Sequence, residues 1–273
     1  MTYKMLVSDV DETLLNNDGT INQLNVDAIK KAASNGFKFV PNTGRSFNSV
    51  QDLLEILGLR DQINQYVISY NGAAIIENKN NAPLITRGMD FNLAQKVFEL
   101  GLVDNTVDAH IYTLDTLFIY NISPTDKTYM AQRGVPYKIM VDEDWSFLKN
   151  EAPIMKVIFE HPDKDVQKAI YQSVMRELSN EVEGTFSSSR YVEFNTKGVD
   201  KGSASLLLGE KLGINPDEII AVGDNNNDLS MIKAAGLGVS VANGIPEVKD
   251  AADYVTKSSN NQGAIAEILE KFV

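Results

Sequence analysis

The chain has 273 residues, a net charge of −12 and no cysteine. That length holds one large domain or two smaller ones, and the acidic balance argues against broad attraction to nucleic acid or anionic lipid. The lack of cysteine excludes disulfides and thiolate sites and fits a cytoplasmic protein; the N-terminus does not read as a secretory signal, and no apolar run approaches the roughly 20 residues that span a bilayer.

In chain order, residues 4–8 form a strand candidate that ends on Asp9-Val10-Asp11-Glu12-Thr13. Residues 22–35 place Leu24, Ala28, Ile29, Ala32 and Ala33 at helical spacing, and Gly36 supplies a helix stop. A second strand (37–40), a second helix (46–57) and a third strand (66–69) follow. Such alternation with short loops predicts a parallel sheet with helices on both faces. The middle differs. Residues 109–113 and 116–120 read as a hairpin around Leu114-Asp115, with further strands at 154–160 and 191–194 and a helix over 165–178. This predicts an α+β module with a largely antiparallel sheet. Alternation resumes with a helix at 203–212, a strand at 218–222, a helix at 229–235, a strand at 238–241 and an amphipathic helix at 264–272. The simplest organisation is a discontinuous α/β core, 1–82 and 190–273, interrupted by an α/β module over 83–189, with Ser187-Ser188-Ser189 as the return linker.

Ligands of open α/β sheets bind at the carboxyl ends of the strands. The first strand is followed by Asp9, Asp11 and Thr13; the second by Asn42-Thr43-Gly44-Arg45; the third by Tyr70-Asn71-Gly72; the strand at 218–222 by Gly223-Asp224-Asn225-Asn226-Asn227-Asp228. All of these clusters fall at one edge of the expected sheet. Two carboxylates about 4 Å apart repel by about 4 kcal/mol at an effective dielectric of 20, so Asp9, Asp11, Asp224 and Asp228 together call for a cation. An all-oxygen set favours a hard ion such as Mg²⁺, which uses one or two carboxylates plus a substrate phosphate. Thr43, Asn227 and the backbone near Gly44 and Gly72 can hold phosphate oxygens, and Lys201 supplies a point charge at a helix start. Metal, anion cradle, nucleophile and proton donor are the parts of phosphoryl transfer.

With Asp200-Lys201-Gly202 added, these four ordered motifs make the chain resemble haloacid dehalogenase superfamily phosphatases of the Cof type over its whole length, with the inserted module resembling that subfamily's cap. The resemblance implies that Asp9 attacks phosphorus and that Asp11 acts as acid and then base. It implies Mg²⁺ on Asp9, Asp224 and the Asp11 carbonyl, with Asp228 in support, and phosphoryl oxygens on Thr43 and Lys201, with Asn227 positioning phosphate or substrate. Thr13 would brace the first loop. Glu12 stands where many relatives have glycine, and its side chain is expected to point away from the metal. Arg45 either binds substrate phosphate or pairs with a core acid. Asn71-Gly72 and Asn243-Gly244 read as turns, Trp145 as a cap-lining or packing residue, and His110 and His161 as structural or exposed. The expected substrate is a small phosphomonoester (a sugar phosphate or phosphorylated cofactor), acted on by a monomer or small homo-oligomer without nucleic-acid or membrane partners. A phosphomutase of the same superfamily and a receiver-like signalling module are the alternatives.

Overall fold

The computed structural model describes residues 2–132, 134–150, 153–187 and 189–273. The chain divides into one unit of Met1–Ile85 with Asp200–Val273, and a second of Thr86–Val199.

The first unit begins with β1 (Met5–Ser8), every residue of which is buried. It continues through α1 (Gln23–Ser34), β2 (Lys38–Pro41), α2 (Gln51–Ile56), β3 (Tyr66–Ser69), β4 (Ala74–Glu77) and β5 (Ala82–Thr86). In the second unit lie α3 (Phe91–Gly101), β6 (Asp108–Tyr112), β7 (Leu117–Tyr120), α4 (Pro124–Gln132), β8 (Lys138–Met140), β9 (Lys156–Glu160), α5 (Lys164–Leu178), β10 (Val182–Ser187) and β11 (Tyr191–Thr196). The first unit resumes with α6 (Lys201–Leu212), β12 (Ile219–Gly223), α7 (Leu229–Ala234), β13 (Leu237–Ser240), α8 (Pro246–Ala251), β14 (Tyr254–Val255) and α9 (Ala264–Phe272).

The main sheet of the first unit is parallel, in the order β14-β13-β12-β1-β2. A single parallel bridge from Asn42 to Ile68 carries β3 alongside β2. Strand order therefore runs outward from β1 in one direction for the N-terminal half and from β12 in the other for the C-terminal half. The reversal of strand order falls between β1 and β12, and in doubly wound sheets ligands bind at the carboxyl ends of the strands at such a point. Strands buried on both faces are apolar throughout, as Met5-Leu6-Val7 and Ile219-Ile220-Ala221-Val222 are. Met5, Val7, Ile219 and Ala221 share a cluster with Ala204 and Leu208 of α6 and Met231 of α7. The amide of Ala266 in α9 donates to the buried Asn25 side chain of α1, fastening the first helix to the last.

The parallel core sheet is as expected, whereas the unit boundaries and the return linker change. Beside that sheet, β3 turns back into antiparallel β4, and β5 extends the same small sheet. Because β5 belongs to it, the first unit runs to Ile85, past the expected boundary at 82/83. At the other side, β11 pairs with β10 and β9, so the second unit extends to Val199 instead of ending at 189. The expected return linker is a hairpin end: Ser187 pairs with Tyr191 in the β10–β11 ladder, Ser189 adopts φ 55°, and Ser188 lies outside the described residues.

The second unit is a sheet in the order β10-β11-β9-β6-β7-β8, antiparallel except for the β7–β8 pair. The hairpin at 109–120 forms as expected. Alternation sorts its faces. Ala109, Ile111, Val157, Phe159, Val192 and Phe194 pack with Val97 and Phe98 of α3 and Ile170 and Val174 of α5. Trp145 joins this core, 5.0 Å from the Phe98 ring, and so packs within the second unit. The intervening positions Asp108, His110, Lys156, Glu160 and Glu193 are buried and polar.

Candidate active site

The loops after β1 and β12 and the start of α6 converge on one buried ammonium. Lys201 is the first residue of α6, whose N-terminus is fixed by Asp200: its carboxylate accepts from the amides of Gly202 (2.7 Å) and Ser203 (2.9 Å). From there Nζ donates to Asp9 Oδ1 at 2.5 Å and Asp228 Oδ1 at 2.6 Å. Asn42, at the end of β2, donates to the Lys201 carbonyl (3.1 Å) and to the Ser205 hydroxyl (3.2 Å), tying that strand end to α6.

Asp228 reaches Lys201 because its own loop folds back. Its Oδ2 accepts from the amides of Asp224 (2.9 Å) and Asn225 (3.0 Å). This fold-back requires Gly223, where a Cβ would lie 2.4 Å from the Asp228 side chain. Asp224 in turn accepts from the Thr13 hydroxyl at 2.7 Å, so Thr13 braces the first loop against the β12 loop as the resemblance implies.

Ligand oxygens of Asp9, Asp224 and Asp228 lie within 4.8 Å of one another in buried positions. One lysine offsets only part of that charge. Burial, reinforced by Asp228 and Asp224, pushes Asp9 well above the ordinary carboxylate range despite the lowering effect of Lys201. Burial likewise raises Asp224, to about 6, against the hydrogen bond from Thr13. For Lys201 burial works against the charge, but Asp228 and Asp9 outweigh it and hold the ammonium above its ordinary pKa. Crowded carboxylates that resist ionisation in a buried, all-oxygen setting form a donor set that fits a hard divalent cation.

Other expected site residues lie around this centre in different roles. Asp11 stands outside the carboxylate cluster, with its exposed side chain paired through both oxygens to Arg45; the Nε–Oδ2 bond is 2.9 Å. Of the two readings for Arg45, the structure shows the acid partner. Thr43 is buried, and its hydroxyl oxygen accepts from the Arg45 amide at 3.0 Å, leaving the hydroxyl proton to be donated elsewhere. Gly44 lies against Asn71. Asn227 is exposed, with its amide 3.5 Å from Asn71 Oδ1. Glu12 is exposed at φ 58°, the left-handed region where glycine is the default residue. Its charge still contributes, as the smallest of the effects named, to raising Asp224.

Asn243 is more than the turn it reads as. Its Nδ2 donates to the Glu12 carbonyl at 2.7 Å and its Oδ1 accepts from the Asn260 amide, clamping the first loop from the C-terminal end of the sheet. Asn-Gly is too common a turn dipeptide for sequence to separate the two roles.

A second buried group of possible metal ligands, Asp108, His110 and Asp126, lies in the other unit. His110 Nε2 sits 2.9 Å from Asp126 and 3.4 Å from Asp108. Burial disfavours its charge, but the two carboxylates outweigh burial and lift its pKa to about 9. His110 is thus enclosed between two buried acids, both on the side of its Nε2.

A family profile described as haloacid dehalogenase-like hydrolase matches residues 6–269. YxeH of Bacillus subtilis strain 168 is 30% identical over 272 residues, covering 98% of each chain. The 5-amino-6-(5-phospho-D-ribitylamino)uracil phosphatase YcsE of the same organism is 29% identical over 271 residues, covering 99% of this chain and 96% of its own. A haloacid dehalogenase-like hydrolase from Bacteroides thetaiotaomicron superposes with a TM-score of 0.86 at 26% identity, covering 100% of both chains.

Proposed function

Because the chain belongs to the haloacid dehalogenase-like hydrolases, we propose that it is a Mg²⁺-dependent phosphatase of small phosphomonoesters that works through an aspartyl-phosphate on Asp9. The observation that carries this reading is the buried Lys201 ammonium between Asp9 and Asp228, beside Asp224, at the point where strand order reverses.

An Asp9 carboxylate oxygen attacks phosphorus, the bond to the ester oxygen breaks, and Asp11 gives its proton to the departing alkoxide. Asp11 then takes a proton from water, which attacks the same phosphorus, releasing inorganic phosphate and restoring Asp9. At least one of the two Arg45 bonds to Asp11 opens for these transfers, since both carboxylate oxygens are engaged by the guanidinium. Lys201 keeps Asp9 aimed and offers positive charge to the phosphoryl oxygens, while the free Thr43 hydroxyl proton and Asn227 hold further oxygens. The carboxylates of Asp9 and Asp224 and the Asp11 carbonyl would hold Mg²⁺, with Asp228 in support; the ion supplies charge that offsets the crowded oxygens of the reacting group. YcsE is named for the phosphate ester of a ribityl-substituted uracil, which supports a phosphorylated sugar, sugar alcohol or cofactor precursor as the substrate class. We place this activity in the cytoplasm; among the described residues no helix is long and apolar enough to cross a membrane.

The test is release of free phosphate from p-nitrophenyl phosphate and a panel of phosphorylated metabolites. Mg²⁺ should be required, chelation should abolish turnover, and Asp9→Asn should reduce kcat by more than about a thousandfold. Turnover unchanged by Asp9→Asn would remove the nucleophile assignment. Mg²⁺ should also raise Tm, and by more at pH 7 than at pH 5, because Asp224 with its pKa near 6 is protonated in the acid range.

A further inference from the structure

Beside this centre lies a run of backbone conformations that side chains rarely adopt. Tyr70 (φ 56°), Asn71 (φ 55°) and Gly72 (φ 104°) are consecutive and all left-handed. For a buried tyrosine that is a costly geometry, and such strain persists only where the surroundings enforce it. Here they do. The Tyr70 amide donates to the Arg45 carbonyl (3.1 Å) and the Asn71 amide to the Thr43 carbonyl (3.0 Å), zipping the turn to the loop after β2. On the other side, a Cβ at Gly72 would meet the Asp200 carbonyl oxygen at 2.3 Å, so the turn backs directly onto the residue that caps α6 ahead of Lys201. The Asn71 carboxamide lies over Gly44, where a Cβ would approach Oδ1 to 3.1 Å, and the same oxygen faces Asn227 Nδ2 at 3.5 Å.

One short turn therefore touches the loop of Thr43 and Arg45, the Asn227 amide and the cap of the Lys201 helix. We infer that Asn71 is a positioning residue for phosphate binding: its left-handed backbone and its carboxamide hold the Thr43–Arg45 loop and Asn227 at a fixed separation, so that a phosphoryl group meets both at once. This inference rests on the phosphatase reading for what the loops bind, but not for the coupling between them. Asn is suited to the task because its short polar side chain tolerates the left-handed region better than other non-glycine residues.

The discriminating variant is Asn71→Gly, which keeps the backbone conformation and removes only the carboxamide. With Tm close to wild type, KM for p-nitrophenyl phosphate and Ki for inorganic phosphate should both rise about tenfold, with a smaller change in kcat. Combined with Asn227→Ala, the loss should fall short of the product of the single losses, because each change breaks the same link. Wild-type KM and Ki in Asn71→Gly, or fully multiplicative losses in the double variant, would overturn the proposal. If the wild-type protein hydrolyses no phosphomonoester, the functional reading fails alone. Amide hydrogen exchange then decides the positioning role: Gly44 and Arg45 should exchange faster in Asn71→Gly, and unchanged exchange would refute it.

Discussion

At the residue scale, Lys201 shows how a buried charge is sustained. Its ammonium is fully enclosed and balanced by Asp9 and Asp228. Removing one member of a buried ion pair leaves its partners uncompensated, which costs about 3 to 5 kcal/mol. Lys201→Met should accordingly lower the urea midpoint of the first unit, and Mg²⁺ should restore part of the loss by replacing the missing positive charge; an unchanged midpoint would contradict the enclosure. Glu12 presents the opposite case. Its φ of 58° strains an L-residue, and its charge adds to the acidic excess around Asp224. Glu12→Gly should gain about 1 kcal/mol in urea unfolding. A loss of stability would mean that contacts of the glutamate outweigh the relief. These details differ in how far sequence discloses them. Asp9, Lys201 and Asp224 are legible because each follows a strand or opens a helix within a short motif. For Arg45 the sequence offers an acid partner as one of two readings without naming Asp11, and the Asn243–Glu12 clamp is not legible at all, because each joins distant segments through partners that any polar loop residue could supply.

Among the elements, the β12 loop depends on a single missing side chain. Gly223 lets the Asp228 carboxylate turn back onto the amides of Asp224 and Asn225. Gly223→Ala should displace that carboxylate from Lys201 and weaken Mg²⁺ affinity by on the order of tenfold to a hundredfold, the usual effect of disturbing the support of a ligand set; calorimetric titration would measure it. Core strands β1, β2 and β12 are readable from their continuous apolar runs, whereas β4 and β5 pass unnoticed. β5 is mostly exposed and carries Pro83, so neither apolar alternation nor composition marks it. β10 is obscured in the same way by Gly184 and by exposed positions along its length, and without its partner β11 looks like the start of the returning core.

For the molecule as a whole, the stability of the second unit should depend on a proton. His110 has a pKa near 9 in the fold, against an ordinary value of 6.5, because two buried carboxylates favour its charged form. A raised pKa on a basic group stabilises the folded state fully below pH 6.5, and the contribution disappears as pH rises through 9. Burial raises the pKa of Asp108 and so opposes part of this gain. Trp145, the one tryptophan, lies in the core of this unit and reports on it directly. Its fluorescence should show a urea midpoint that falls between pH 7 and pH 9.5, and His110→Gln should flatten the profile; a wild-type profile already flat would refute the charged triad.

The reversal of strand order between β1 and β12 has a consequence in time. The Thr13–Asp224 hydrogen bond spans 211 residues of chain, and Lys201 lies on the C-terminal side of the entire second unit. On the ribosome, Asp9 is made before the whole second unit, and Lys201, Asp224 and Asp228 after it. A nascent chain that has reached Val199 contains Asp9, Asp11 and Thr43 but none of Lys201, Asp224 or Asp228. The buried cluster can therefore assemble only once α6 and β12 stand beside β1, and a chain shorter than that lacks its ammonium and two of its three carboxylates.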